Sequence, residues 1–216
     1  MAEMNELLRE VQEDLRQERL EKLWKAYGVY IVAGLVGIVL LTVAFVFWRD
    51  YRTSQRANES AAYETAVQNI NQGKRDQGIA QLEALAKEGG TYNGMAALNK
   101  ASVLAEKSAT KAEAVALYQS ISKNKAYDAT IRYLAGYYAV LHQVDTENSD
   151  VLLEQLPLLM VGANPWSVMV TELKAVLTLK AGRPEEAAQI YKDLLENPST
   201  PSGIRIRAQA ALNQTN

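Results

Sequence analysis

Residues 175–198 read AVLTLKAGRPEEAAQIYKDLLENP, and this stretch decides the fold. Gly182 predicts the end of one helix, because glycine readily adopts the left-handed conformation that closes helices. Pro184 suits the first turn of the next helix, where its missing N–H has no partner to lose. Ala175 and Ala187 are small, as expected where two helices cross closely. The stretch therefore predicts a helix–turn–helix pair.

The same pattern recurs along the chain at intervals of about 36 residues, as in proteins built from stacked helix pairs. Small residues on the first helices are Ala66, Ser102, Ala139 and Ala175. The matching positions on the second helices are Gly78, Ala114, Val151 and Ala187. Bulky residues follow at Leu82, Tyr118 and Tyr191, and apolar ones at Leu85, Ile121, Leu158 and Leu194. These columns predict repeat packing in a shared core.

Such pairs bury their apolar faces only by stacking, so we predict an all-α solenoid of about four helical-hairpin repeats. The predicted pairs span 57–88, 92–123, 127–161 and 165–196, and a capping helix spans 202–213. In the third repeat Gln155 replaces the bulky residue and Pro157 lies nearby, so its second helix is expected to be irregular or shifted.

A transmembrane helix is predicted from Ala26 to Trp48, a segment without a charged side chain. At about 1.5 Å per residue it would be roughly 34 Å long, which suffices to cross a bilayer. Tryptophan and tyrosine lie at both ends, as at membrane interfaces. Arg49 and Asp50 follow where a signal peptidase requires small residues, so the segment is predicted to remain as a signal-anchor. Ala33, Gly37 and Ala44 could form a contact face for another membrane helix or could face lipid.

The lysines and arginines that flank the span number five before it and three after it. This small bias favours a cytoplasmic N-terminus. Residues 1–25 predict an amphipathic helix, which could pack on a partner or simply extend the transmembrane helix into solvent. Residues 49–56 are predicted to be a juxtamembrane linker, and residues 57–216 the helical domain.

The composition disfavours several classes of function. The residues after Trp48 carry equal numbers of basic and acidic side chains, so no basic excess indicates nucleic-acid binding. The chain has no cysteine and one histidine, His142, which is expected to have a cap or surface role. Metal sites and activated nucleophiles need clustered ligands or a base beside the nucleophile. We therefore predict a protein without enzymatic activity, cofactor, metal or small-molecule substrate.

Function is then expected on the surface that the first helices present to an extended partner. For each inward-facing position, core packing is an equally plausible alternative to partner contact. This holds most of all for the valine column, which consists of Val67, Val103, Val140 and Val176. The predicted groove positions are Tyr63, Val67, Ile70, Asn99, Val103, Tyr133, Val140, Glu172 and Val176.

The fourth repeat resembles the tetratricopeptide repeat in the order and spacing of Ala175, Gly182, Ala187, Tyr191 and Pro198. The second repeat is similar through Ala114 and Tyr118, whereas the first is degenerate and the third lacks the aromatic residue. This resemblance implies a protein-binding solenoid.

The N-terminal segments EVQEDLR at 10–16 and LWKAYG at 23–28 extend the resemblance to the YfgM family. That resemblance implies a cytoplasmic N-terminus, one inner-membrane helix and a periplasmic tetratricopeptide-like domain. It further implies an ancillary role at the SecYEG translocon, with PpiD-like chaperones and nascent or extended polypeptides as partners. A scaffold for another envelope or cell-division assembly, similar to CpoB, is the alternative, although CpoB is secreted rather than anchored.

Overall fold

The computed structural model describes the backbone of residues 2–160 and 164–215. The side chains of residues 1–21, Ile31 and Thr215 lie outside the described part. The apolar stripe predicted for the amphipathic segment therefore falls largely outside the described residues, although the backbone of this segment is helical from Ala2.

Helix α1 extends from Ala2 to Asn71, and the chain divides after Gln55 into two compact units. Residues 49–56, predicted to be a linker, are helical. The reason is local: this segment contains neither glycine nor proline, and the Thr53 hydroxyl donates to the Arg49 carbonyl oxygen at 2.9 Å. The guanidinium of Arg52 also lies 3.9 Å from the centre of the Trp48 ring, a favourable cation–π contact.

In the first unit, α1 is long and apolar enough to cross a membrane. It is the one candidate span among the described residues. Its large apolar side chains are exposed in the single chain, with Leu41 and Phe47 more than 70% exposed. A surface of this kind needs an apolar environment such as lipid.

The second unit, from Arg56 to Asn216, is a stack of antiparallel helices, and it confirms the all-α solenoid. No strand is present in the part of the chain that the structure describes. After the end of α1 its helices are α2 (Arg75–Glu88), α3 (Asn93–Ala105), α4 (Lys111–Lys123), α5 (Ala129–Leu141), α6 (Ser149–Leu153), α7 (Ser167–Lys180), α8 (Pro184–Glu196) and α9 (Ser202–Thr215). Short 3-10 turns lie at Ser108–Thr110 and Leu156–Leu159.

Two glycines end helices as predicted. Gly73 after α1 has φ +81°, and Gly182 after α7 has φ +76°. In both turns the next residue's N–H donates back into the last helical turn, from Lys74 to Asn69 at 2.8 Å and from Arg183 to Thr178 at 3.2 Å. The two turns therefore share the Schellman geometry, which satisfies carbonyl groups that a helix end leaves free.

The predicted repeat-packing residues lie in the core, with the exceptions of Ser102, Val151 and Leu158. Exposures of 0–4% are found for Ala66, Ala114, Ala139, Ala175, Ala187, Tyr118 and Tyr191. Ser102 is exposed, and its neighbour Ala101 is fully buried instead. The turn between α3 and α4 has five residues where the α1–α2 turn has three, and the buried face of α3 is accordingly set one residue earlier.

The second helix of the third repeat is broken, as the sequence predicted. Helix α6 contains only five residues, and the 3-10 turn Leu156–Leu159 contains Pro157. Leu152 and Leu159 are buried, whereas Val151 and Leu158, which the repeat columns placed in the core, are 48% and 73% exposed. Asn148 caps α6, and the buried apolar residues lie one position later than the repeat spacing predicted.

The core consists of four clusters of unequal size along the stack. The first repeat contributes the smallest, with two leucines and two alanines: Leu82, Leu85, Ala66 and Ala96. The cluster between the third and fourth repeats contains eight buried residues, all larger than alanine. At the C-terminal end Ile204, Ala208 and Leu212 of α9 pack on Tyr191 and Leu194 of α8, so α9 caps the stack.

Glu83 on α2 joins the first two repeats electrostatically. Its carboxylate accepts from Lys87 Nζ at 2.7 Å and from Lys100 Nζ of α3 at 3.0 Å. These hydrogen bonds and the lysine charges lower the pKa of Glu83 to about 2, because both favour the ionised carboxylate.

Candidate partner-binding surface

Hydrogen bonds one repeat apart connect successive first helices. The amide nitrogen of Asn99 on α3 donates to the Tyr63 hydroxyl on α1 at 2.9 Å. Trp166, just before α7, donates through Nε1 to the Thr130 carbonyl oxygen of α5 at 3.1 Å. Each pair is separated by 36 residues, so equivalent positions of adjacent repeats are joined.

An aromatic and amide cluster forms at the first two repeats. The rings of Tyr63 and Tyr92 lie 5.6 Å apart, and the Tyr92 hydroxyl donates to the Ser60 hydroxyl at 3.1 Å. Tyr63, Tyr92 and Asn99 are all half-buried. Their rings and polar atoms are therefore held in place and remain partly accessible, which suits recognition of an extended chain. We call Tyr63, Tyr92 and Asn99 the tyrosine cluster.

Glu59 positions the loop that carries Tyr92. Its carboxylate accepts from the backbone N–H groups of Thr91 at 2.6 Å and Tyr92 at 3.3 Å. A Cβ added at Gly90 would meet this carboxylate, so a larger residue there would displace the Glu59 side chain. Charge-assisted bonds to backbone N–H groups are strong, and they order the tyrosine cluster.

Of the nine predicted groove positions, seven are half-buried on the first helices: Tyr63, Val67, Ile70, Asn99, Tyr133, Glu172 and Val176. Ile70 packs against the first core cluster, and a Cβ at Gly78 would lie 2.4 Å from it. Val103 and Val140 were placed in the groove, but they are 3% and 2% exposed and belong to the core. The valine column thus divides between core and surface.

Tyr133 and Glu172 have further contacts. Tyr133 lines, together with Val140, a cavity between α4, α5 and the 3-10 turn Leu156–Leu159. Glu172 is bound by Arg207 of α9, with Nε–Oε1 and Nη2–Oε2 distances of 2.6 and 2.8 Å. This bidentate pair raises the pKa of Arg207 through the hydrogen bonds from its guanidinium to Glu172. Glu172 therefore holds the capping helix.

Sequence reasoning missed the stack formed by Tyr118, Tyr138 and His142. The His142 ring lies 5.7 Å from Tyr118 at an interplanar angle of 10°, and Tyr138 lies 5.5 Å from Tyr118. Burial raises the pKa of Tyr118 to about 12 and lowers the pKa of His142. His142 is the C-cap residue of α5. The only indication of this stack in the sequence is that a bulky residue, Tyr118, occurs in the repeat column.

The small-residue face of the first unit consists of Ala33, Gly37 and Ala44. A Cβ added at Gly37 would meet no atom within 4 Å, and Ala33 and Ala44 are exposed in the single chain. Among the residues searched, which exclude the undescribed ones, no group of three or more His, Asp or Glu side chains is placed to hold a metal ion.

Residues 21–212 match the model of a family described as the tetratricopeptide repeat-like domain. The chain belongs to this family. A relative from Escherichia coli strain K12, named the ancillary SecYEG translocon subunit, is 20% identical over 185 residues. The alignment covers 86% of this chain and 88% of the relative.

Family membership and the relative's description as a subunit both point to a protein-interaction role rather than catalysis. The family match includes the apolar part of α1 as well as the helical stack. In this tetratricopeptide-like chain the half-buried polar and aromatic groups of the first helices are thus the candidate binding surface.

Proposed function

We propose that this protein is a membrane-tethered interaction subunit that works beside the SecYEG translocon. The observation that carries the proposal is the alignment with the E. coli ancillary translocon subunit over most of both chains. The candidate span supports tethering at the inner membrane. In this proposal the N-terminus is cytoplasmic and the helical domain is periplasmic.

The proposed partners of the helical domain are a PpiD-like chaperone and emerging polypeptides. The tyrosine cluster supports this class of partner, because aromatic rings bind apolar side chains and Asn99 can bond an extended backbone. Such contacts do not require a defined partner sequence.

Topology is the first test. Alkaline phosphatase fused after Asn216 folds into an active enzyme only in the periplasm, whereas a green fluorescent protein fusion at the same site reports a cytoplasmic location. The proposal requires an active alkaline phosphatase fusion and a green fluorescent protein fusion that shows no fluorescence. The opposite pattern would remove the translocon proposal, since the helical domain would face the wrong compartment.

The second test is photocrosslinking in cells. A photoreactive amino acid replaces Val67, which is half-buried on the first-helix side. Lys192, exposed on α8, provides the matched control on the second-helix side. We expect adducts with translocon or chaperone subunits from position 67 and not from position 192. Adducts with cell-division proteins instead would favour the alternative scaffold, and equal labelling from both positions would contradict this binding surface.

A further inference from the structure

A cavity of about 620 Å³ lies where the second and third repeats meet. It lies between α4, α5 and the 3-10 turn Leu156–Leu159. The second helices of the other repeats have 13 or 14 residues, whereas α6 ends after five. The cavity therefore occupies the space where further turns of a regular second helix would pack. Its volume is in the usual range of ligand sites.

The lining combines positive charge with apolar surface. Lys123 ends α4 and Arg132 projects from α5, and neither Asp nor Glu is among the described lining residues. Leu158 is 73% exposed at the cavity, and Gln155 adds an amide group. Such a lining is complementary to a ligand that carries both a negative charge and a bulky apolar group.

Arg132 has unused hydrogen-bonding capacity. Its Nε is inaccessible to solvent, and within the described residues it has no hydrogen-bond partner. A buried unpaired donor is unfavourable, and a carboxylate can satisfy a guanidinium through two parallel hydrogen bonds. The carboxylate of Asp128 accepts from the Thr130 N–H at 2.8 Å and caps α5. The hydrogen bonds with Thr130 lower the pKa of Asp128, and the Arg132 charge adds a smaller effect in the same direction.

Other arginines of the stack are paired, which makes the cavity distinct. Arg75 bonds Glu106 at 2.6 Å, Arg183 bonds Asp150 at 2.8 Å, and Arg207 bonds Glu172. In contrast, neither Lys123 nor Arg132 forms a salt bridge within 4 Å to any residue that the structure describes. No described carboxylate therefore neutralises the two cations that face the cavity, and an external anion can pair with them.

We propose that this cavity binds a polypeptide segment in which an acidic residue adjoins a large aliphatic side chain. The carboxylate pairs with Arg132 and Lys123, and the aliphatic group packs on Leu158 and Leu159. This second docking site shares no residue with the tyrosine cluster, whereas it includes Tyr133 and Val140 of the predicted groove. It goes beyond the proposed function, because it is independent of whether the translocon is the membrane partner.

The test uses the full chain in a neutral detergent and short fluorescent peptides. One peptide contains two Glu-Leu pairs in a Gly-Ser background, and its counterpart has Gln in place of each Glu. Fluorescence anisotropy measures affinity for the unmodified protein, for K123Q, R132Q and L158E, and for the control K192Q, which removes the same charge from exposed α8. Circular dichroism confirms the fold of each variant.

We expect the Glu peptide to bind at least about tenfold more tightly than the Gln peptide, as for a charge-assisted hydrogen bond. K123Q, R132Q and L158E should each weaken binding of the Glu peptide about tenfold, and K192Q should leave it unchanged. Lys123 and Leu158 are exposed, so their variants remain informative if R132Q does not fold. Equal binding of the two peptides, or equal effects of K123Q and K192Q, would overturn the proposal.

A lipid headgroup is the other possible anion, and vesicles distinguish it. If the variants lose binding to phosphatidylglycerol vesicles while they keep binding to the Glu peptide, the peptide proposal is wrong. Neither result bears on the topology and crosslinking tests, so the two proposals can fail separately.

Discussion

Replacing Leu152 with alanine should destabilise the helical domain far more than replacing its neighbour Val151. Leu152 is fully buried among Leu156, Leu159 and Leu177. L152A removes about three methylene equivalents, and at about 0.8 kcal/mol each this lowers the free energy of unfolding by about 2.4 kcal/mol. The cavity left in the core raises the total loss to about 3–4 kcal/mol. Val151 is 48% exposed, so its truncation should cost about 1 kcal/mol or less.

Urea unfolding of the full chain in detergent measures the difference. With Trp24 and Trp48 changed to phenylalanine, Trp166 is the remaining tryptophan, and it lies beside the third repeat through its bond to Thr130. With a slope of about 2 kcal/mol per M urea, L152A should lower the midpoint by about 1.5–2 M. V151A should lower it by about 0.5 M or less.

The pair of variants also decides the register of the third repeat. The repeat columns of the sequence place Val151 at the helix crossing, and the structure places Leu152 in the core. A larger effect of V151A than of L152A would refute the structural register and restore the sequence-based one. Similar effects of both would refute the one-sided burial on which the estimate rests.

Three further predictions concern charge, backbone and capping. The folded-state pKa of Glu83 is about 2, below its ordinary value of 4.5. Its contribution to stability is therefore complete above about pH 4.5 and is lost as the pH falls toward 2. The variant E83Q should flatten the acid side of a plot of Tm against pH, and superimposable curves of the two proteins would contradict this. Gly182→Ala should destabilise by about 1 kcal/mol in urea unfolding because of its φ of +76°, whereas Gly203→Ala within α9 should be neutral or stabilising. Arg207→Gln breaks the bidentate pair with Glu172 and should destabilise the packing of α9 on the stack by about 1 kcal/mol. Amide hydrogen exchange should then become faster in α9 alone. Unchanged exchange in α9 would show that apolar packing alone holds this helix.

The helix boundaries were predictable because they depend on neighbouring residues. Gly73 and Gly182 end helices by a conformation that glycine adopts without strain, and Pro184 begins one by the lack of an N–H. The alanines at the helix crossings were predictable for a related reason, because two helices can approach closely only where their side chains are small.

The faces of individual helices were less predictable, because they depend on the lengths of the connections. Five residues between α3 and α4 bury Ala101 in place of Ser102, and a seven-residue connection before α6 buries Leu152 in place of Val151. Repeat spacing assumes constant connections, so a single extra residue rotates a helix by about 100° relative to the expected register.

The candidate site was predictable only in part, because partners distant in sequence determine it. Glu172 was expected in the groove, but Arg207, 35 residues later, binds it. The link from Asn99 to Tyr63 and the cavity beside Arg132 likewise arise from side chains that meet only in the folded stack. Periodicity predicts which residues are equivalent, but it does not predict which of them bind each other.

The unequal core clusters imply that the solenoid does not open uniformly. In a one-dimensional stack each repeat is stabilised only by its neighbours, so the thinnest cluster opens at the lowest free energy. That cluster, with Leu82 and Leu85, lies at the N-terminal end of the stack, while the larger clusters follow toward the C-terminus. Fraying would therefore begin at α2 and leave the C-terminal repeats folded.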